Sequence, residues 1–127
     1  MPFSERRKHP RVSEAVPCQV SVGSEVFSTV TKNLSCGGAL CVVSGPVAPM
    51  TKLRIEFELP GVHGAGSSTR QTVHCEGVVV RQDQLPLSEN PAYLTAIFFS
   101  DIRQEDRRRI GEFVLHSMLT RDRPASP

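Results

Sequence analysis

The sequence predicts a mainly β fold: a small six-stranded antiparallel β-barrel with a C-terminal α-helix packed at its end. Three observations carry this. Between Ala15 and Phe99, apolar residues recur at every second position in short segments, the period of a strand with one buried face. Turn formers separate these segments at short intervals, and no helical pattern lies between them to make a parallel crossover. After Asp101 the period changes once, to the three-and-four spacing of an amphipathic helix.

The first strand is read from Val16, Cys18, Val20 and Val22. Gly23-Ser24 marks a turn, and residues 26–31, rich in β-branched side chains, form the second strand. The turn-forming run Asn33-Leu34-Ser35-Cys36-Gly37-Gly38 leads into a third strand over residues 39–43, and Gly45-Pro46 and Pro49 break the chain again. The fourth strand has the clearest alternation, Leu53, Ile55, Phe57 and Leu59 with Arg54, Glu56 and Glu58 between. Residues 60–69 read as a mobile glycine-rich loop, 71–82 as the fifth strand, 85–91 as a proline-punctuated loop, and 93–99 as the sixth strand. Asp101 is expected to cap the helix, with Gln104 reciprocating three residues on. Ile110, Phe113, Val114 and Met118 form one apolar face that ends near Leu119. Closing the barrel removes free sheet edges and leaves the rim loops as natural ligand sites.

Length and composition agree with one domain. The chain has 127 residues, 39% hydrophobic and 22% charged, the profile of a soluble globular protein. The expected organisation is an arginine-rich arm over residues 1–13, a barrel over 14–100, a helix over 101–120 and a disordered tail over 121–127. The polar, basic N-terminus offers no apolar signal core, and no apolar run is long enough to span a bilayer. The expectation is a cytoplasmic protein without membrane insertion. Four cysteines, Cys18, Cys36, Cys41 and Cys75, contain no CxxC pair and read as reduced thiols.

Enzyme motifs fall short. Gly64-Ala65-Gly66 begins like a dinucleotide loop, but Thr69 stands where the third glycine belongs. The run from Asn33 to Gly37 lacks the first glycine of a nucleophile elbow. His9, His63, His74 and His116 are scattered, and His74 and Cys75 point to opposite faces of a strand, poor geometry for a shared metal. No catalytic residue, metal or cofactor is expected.

Two segments stand apart. Residues 1–12 carry Arg6, Arg7, Lys8 and Arg11 against the single anion Glu5, while the remainder is close to neutral. Pro10 disfavours helix at His9, so this is an extended arm. Guanidinium groups present a rigid fork of donors that matches phosphate oxygens or the O6/N7 edge of guanine. A solvated basic tail is the plainer reading of this segment alone. The second segment is Asn33-x-Ser35-x-x-Gly38 between two strands. Asn33 and Ser35 offer short donors and acceptors, and Gly37 and Gly38 permit positive φ and close approach of a ligand to the backbone. An ordinary loop, with Asn and Ser bonded to their own backbone, is the plainer reading here.

Taken together, RxxxR at Arg7 and Arg11, about twenty residues, then [DN]xSxxG at Asn33, Ser35 and Gly38 on a small β-barrel resembles the PilZ domain family. The flanking ERRKHPRV, NLSCGGAL and AIFFSDIRQEDRRRIGEFV extend the resemblance from about Glu5 to Leu119. It implies a receptor for cyclic di-GMP and no enzymatic activity. The arm would wrap the ligand, with Arg7 and Arg11 on phosphate and the guanine Hoogsteen edge. Asn33 and Ser35 would bind from the barrel surface, and Gly38 would allow close approach. Asparagine in place of aspartate at Asn33 lies within the family's pattern. An arginine preceding the pair, here Arg6, implies an intercalated dimer, two ligands per domain. A third guanidinium would offset the second dianion and stack on an extra guanine. The signal would then pass in trans to an unidentified protein partner, in motility or exopolysaccharide regulation. The rival readings are an adaptor of this family that works through protein contacts alone and a nucleic-acid-binding barrel. The near-neutral barrel and scarce aromatics speak against nucleic acid.

Overall fold

The structure is a computed structural model that describes residues 10–60, 70–86 and 89–121. Six strands, β1 (Pro17–Val22), β2 (Glu25–Leu34), β3 (Gly38–Val43), β4 (Lys52–Pro60), β5 (Arg70–Gln84) and β6 (Tyr93–Ile102), precede the helix α1 (Gln104–Arg121). They close into an antiparallel barrel in the order β1-β2-β3-β6-β5-β4. All six expected strands and the helix are present.

Alternation builds the core. Val20, Leu34, Ile55, Phe57, Leu59, Val73 and Val79 point inward and are sealed from solvent. Phe57 and Phe99 meet edge to face, with ring centroids 5.7 Å apart, a favoured aromatic geometry. Ile110, Phe113 and Val114 of α1 join this cluster, with Met118 packed against it. The helix face expected from the spacing is therefore the buried one. Burying each such side chain contributes about 1.5–3 kcal/mol.

Several boundaries differ from the sequence reading. β6 runs to Ile102 because Asp101 pairs with Glu76 and Ile102 with Cys75 on β5. Asp101 is thus a strand residue and not the helix cap. The helix starts at Gln104, three residues later than expected, and its first turn carries Glu105 and Asp106, charges that suit the positive end of the helix dipole. Asp106 is buried and accepts from Arg109 at 3.1 Å, while Glu105 accepts from the same guanidinium at 2.7 Å. β2 extends to Leu34, so Asn33 lies within a strand and not in a turn. Residues 61–69 and the tail, 122–127, lie outside the described residues.

The four cysteines are free. Burial pushes the Cys75 thiol up to about 12. Cys18 is raised by its hydrogen bond with Cys41 and then by burial. Thiols held protonated in an apolar interior are poor nucleophiles.

Candidate functional site

Arg11, the last residue of RxxxR, and the NxSxxG segment meet at one barrel end. There β2 ends, β3 begins, and the chain enters from the arm. Val12 forms an isolated antiparallel bridge with Leu34. Its N–H donates to the Leu34 carbonyl at 3.0 Å, and the Leu34 N–H donates back at 2.9 Å. Both side chains are buried, Val12 at 1% exposure. At the end of the expected arm, Val12 is fastened to the barrel by apolar burial and a backbone pair. The antiparallel register sets exposed Arg11 level with Ser35. Arg6 and Arg7 lie outside the described residues.

Thr31 secures the same root. Its buried hydroxyl donates to the Glu14 carbonyl at 2.8 Å and accepts from the Val16 N–H at 3.0 Å. A hydroxyl is needed because valine, the same shape, would leave both backbone groups without that partner.

Asn33 reaches the outer surface through a β-bulge. The β2–β3 register shifts between Thr31 and Asn33, and Thr31 and Leu34, three residues apart, are both buried. Lys32 is therefore the extra residue, and Lys32 and Asn33 both lie away from the core. Bulges commonly re-aim side chains beside functional sites. Asn33 is half-buried, pairs with Leu40 on β3, and makes no side-chain hydrogen bond among the described residues.

Ser35 has a different place. It is 6% exposed, and its Oγ accepts from the Gly37 and Gly38 N–H groups at 3.1 and 3.2 Å. Its own N–H donates to the Gly38 carbonyl at 2.9 Å. Both acceptor positions of the hydroxyl are used to shape the loop, and its proton faces the Gly38 carbonyl at 3.4 Å.

The glycines also depart from expectation. Gly23, at φ 60°, is the one glycine with positive φ among the described residues, so Gly37 and Gly38 do not use that freedom. Gly38 is required for close approach of another kind: a Cβ there would run into the Ile97 carbonyl oxygen of β6. Gly37 accepts from the Phe99 N–H at 2.9 Å, which ties the loop to β6. Cys36 ties it to the helix. Its thiol donates to the Arg107 carbonyl at 3.8 Å, and a Cβ on Gly111 would lie only 3.2 Å from its sulfur.

Val12, Thr31 and Lys32 were missed in the sequence reading. Thr31 and Leu34 cannot both face inward at period two, so the bulge was signalled there; the arm anchor had no such periodic signal.

A surface groove of about 490 Å³ lies elsewhere. It runs over the outer face of β1, β4 and β5, between Gln19, Arg54, Glu56 and His74, and contains none of the motif residues. Among the described residues no cluster of His, Cys, Asp and Glu could hold a metal ion. No described helix is long and apolar enough to cross a membrane.

The profile of the PilZ domain matches residues 5–116. The chain belongs to the PilZ domain family. Comparison with curated proteins finds no match. Among solved structures, the Bacillus subtilis inhibitor of motility MotI (DgrA) is similar with a TM-score of 0.78 at 22% identity, over 93% of this chain and 54% of that one. The PilZ domain of Escherichia coli YcgR with cyclic di-GMP is similar at 0.62 and 15% identity, over 94% and 99% of the two chains. The MrkH–cyclic di-GMP complex from K. pneumonia matches at 0.68 and 18% identity, over 93% and 55%. The chain thus spans about half the length of the Bacillus and Klebsiella proteins. At these identities the likeness is one of fold.

Proposed function

We propose that the chain is a cyclic di-GMP receptor whose arginine arm closes over ligand held against the outer face of β2 and β3. The observation that carries this reading is the Val12–Leu34 pairing, which joins the end of RxxxR to the start of NxSxxG. Arg11 and NxSxxG, about twenty residues apart in sequence, are thereby neighbours at one rim. The cyclic di-GMP complexes of YcgR and MrkH, which share the fold, support the choice of ligand.

In this reading Arg7 and Arg11 engage phosphate oxygens and the O6/N7 edge of guanine, the bidentate geometry that guanidinium suits. Asn33, aimed outward by the bulge, contacts the base from the barrel. Ser35 acts by holding the loop that the ligand meets. Gly37 and Gly38 keep that backbone open. Arg6 engages a second ligand, giving two per domain. Residues 1–13 act as the arm, the six strands as the barrel platform, and α1 as the helical seal. Closure of the arm changes the surface that a protein partner meets in the cytoplasm, in control of motility or exopolysaccharide. No catalysis, cofactor or nucleic acid enters this function.

Calorimetric titration at protein concentrations well above the dissociation constant tests it. The expected result is saturation at two equivalents of cyclic di-GMP. A sharp break at one equivalent removes the second ligand and Arg6 with it. Absence of binding contradicts the receptor reading.

A further inference from the structure

Phe98 sits mid-strand on β6 and is 54% exposed. The other phenylalanines among the described residues are buried or half-buried: Phe57, Phe99 and Phe113 in the core and Phe27 against it. Leaving Phe98 in water forgoes a large part of the burial energy of an aromatic ring. Its surroundings are specific. Phe98 is the direct cross-strand partner of Gly38, the last residue of NxSxxG. Buried Ile97 and Phe99 on either side set its ring on the outer face. Because Gly38 has no side chain, no β3 side chain stands opposite that ring.

The neighbours extend the surface. Leu40 pairs with Ala96 on β6 and with Asn33 on β2, and lies diagonal to Phe98 on the same face. Diagonal neighbours on a sheet are within reach of aromatic and long side chains. Val78 on β5 pairs with Phe98 from the other side. Asn33, Leu40 and Phe98 therefore run across three adjacent strands, from a polar edge to an aromatic floor. Two strand spacings across the sheet and two residues along it, about 12 Å in all, separate the ends of this run. The groove on β1, β4 and β5 has no comparable ring; its lining is mostly polar and charged.

We propose that Phe98, flanked by Leu40, is the stacking platform on which a guanine base of the ligand lies, with Asn33 at the edge of the base. This inference rests on the receptor reading above and adds a residue to it that neither motif contains. A flat apolar ring recognises a flat base by stacking and desolvation, while hydrogen bonds at Asn33 and the arginines set the base's identity. The platform also explains why Gly38 and Phe98 stand opposite one another: any side chain at position 38 would meet the Ile97 carbonyl and crowd the ring's open side.

The chain contains no tryptophan, so Phe98→Trp introduces a unique fluorophore at the proposed contact. Titration of that variant with cyclic di-GMP is expected to quench its emission strongly, with an affinity within about threefold of wild type, because an indole stacks at least as well as a phenyl ring. Phe98→Ala is expected to weaken calorimetric binding about 5- to 150-fold, the range for losing one base–aromatic stack. Its thermal midpoint should stay close to wild type, since the ring is more than half exposed. Normal binding by Phe98→Ala, or normal binding by Phe98→Trp with unchanged emission, overturns the platform and leaves the receptor reading standing. Absence of binding by the wild type removes both.

Discussion

The outer surface of the barrel has two faces that solve the same problem in opposite ways. On β1, β4 and β5 the outward side chains answer one another. His74 lies 3.1 Å from Glu56, Thr72 donates to Glu58 at 2.9 Å, and Arg54 is the register partner of Glu76. On β2, β3 and β6 the outward residues include Asn33, Leu40 and Phe98, an amide without a partner among the described residues beside exposed apolar surface. The groove belongs to the first face and the family motif to the second. On the proposed reading the ligand takes the second face, so concavity alone would not mark the site.

The largest effect expected from breaking this contrast is on the arm. Arg11→Ala should cost about 2–4 kcal/mol of binding free energy, the loss of a charge contact desolvated in a complex. That corresponds to about 30- to 1,000-fold in affinity by calorimetry. Arg7→Ala should behave alike. Neither change should lower the melting temperature, since Arg11 is exposed and the arm is anchored by Val12. Unchanged affinity in both variants would place the ligand away from the arm.

Next comes Gly38→Ala. Its added methyl meets backbone of β6 and not a yielding side chain, so the two strands must part. A destabilisation of about 1–3 kcal/mol, measured by denaturant titration, is expected from such overpacking. The result separates two meanings of a motif glycine. Lost stability assigns Gly38 to the fold first, whereas weaker binding at unchanged stability assigns it to ligand contact alone.

The smallest effect is on the first face. Glu56→Gln alters the contact with His74, in which the two side chains are 45% and 67% exposed. Solvent-screened pairs of this kind contribute little, so stability should change by less than about 0.5 kcal/mol. Ligand affinity should not change. A marked loss of affinity would move the site to the groove.

Much of this was legible in the sequence because alternation reports burial directly. Leu53, Ile55, Phe57 and Leu59 are all core residues, as their spacing requires, and so are Ile110, Phe113 and Val114. What failed were features decided by pairing between distant strands. Asp101 has the chemistry of a helix cap, yet pairing with Glu76 keeps it in β6. Gly37 and Gly38 suggested left-handed backbone, but β6 demands a missing side chain at Gly38 and not an unusual φ. Ser35 is buried and its Oγ accepts from the N–H groups of those same glycines, a loop-shaping role that residue type alone does not reveal. The motif was visible as a pattern of residue types. The division of labour within it, Asn33 outward and Ser35 inward, depends on the bulge at Lys32.

Mapping cyclic di-GMP onto the two faces by amide chemical shifts of the labelled chain tests the central claim most directly. The account predicts that perturbations concentrate at Arg11–Val12, Asn33 to Leu40 and Phe98, with Gln19, Arg54, Glu56 and His74 unmoved. Shifts centred on those four residues, with the β2–β3 rim silent, would contradict it.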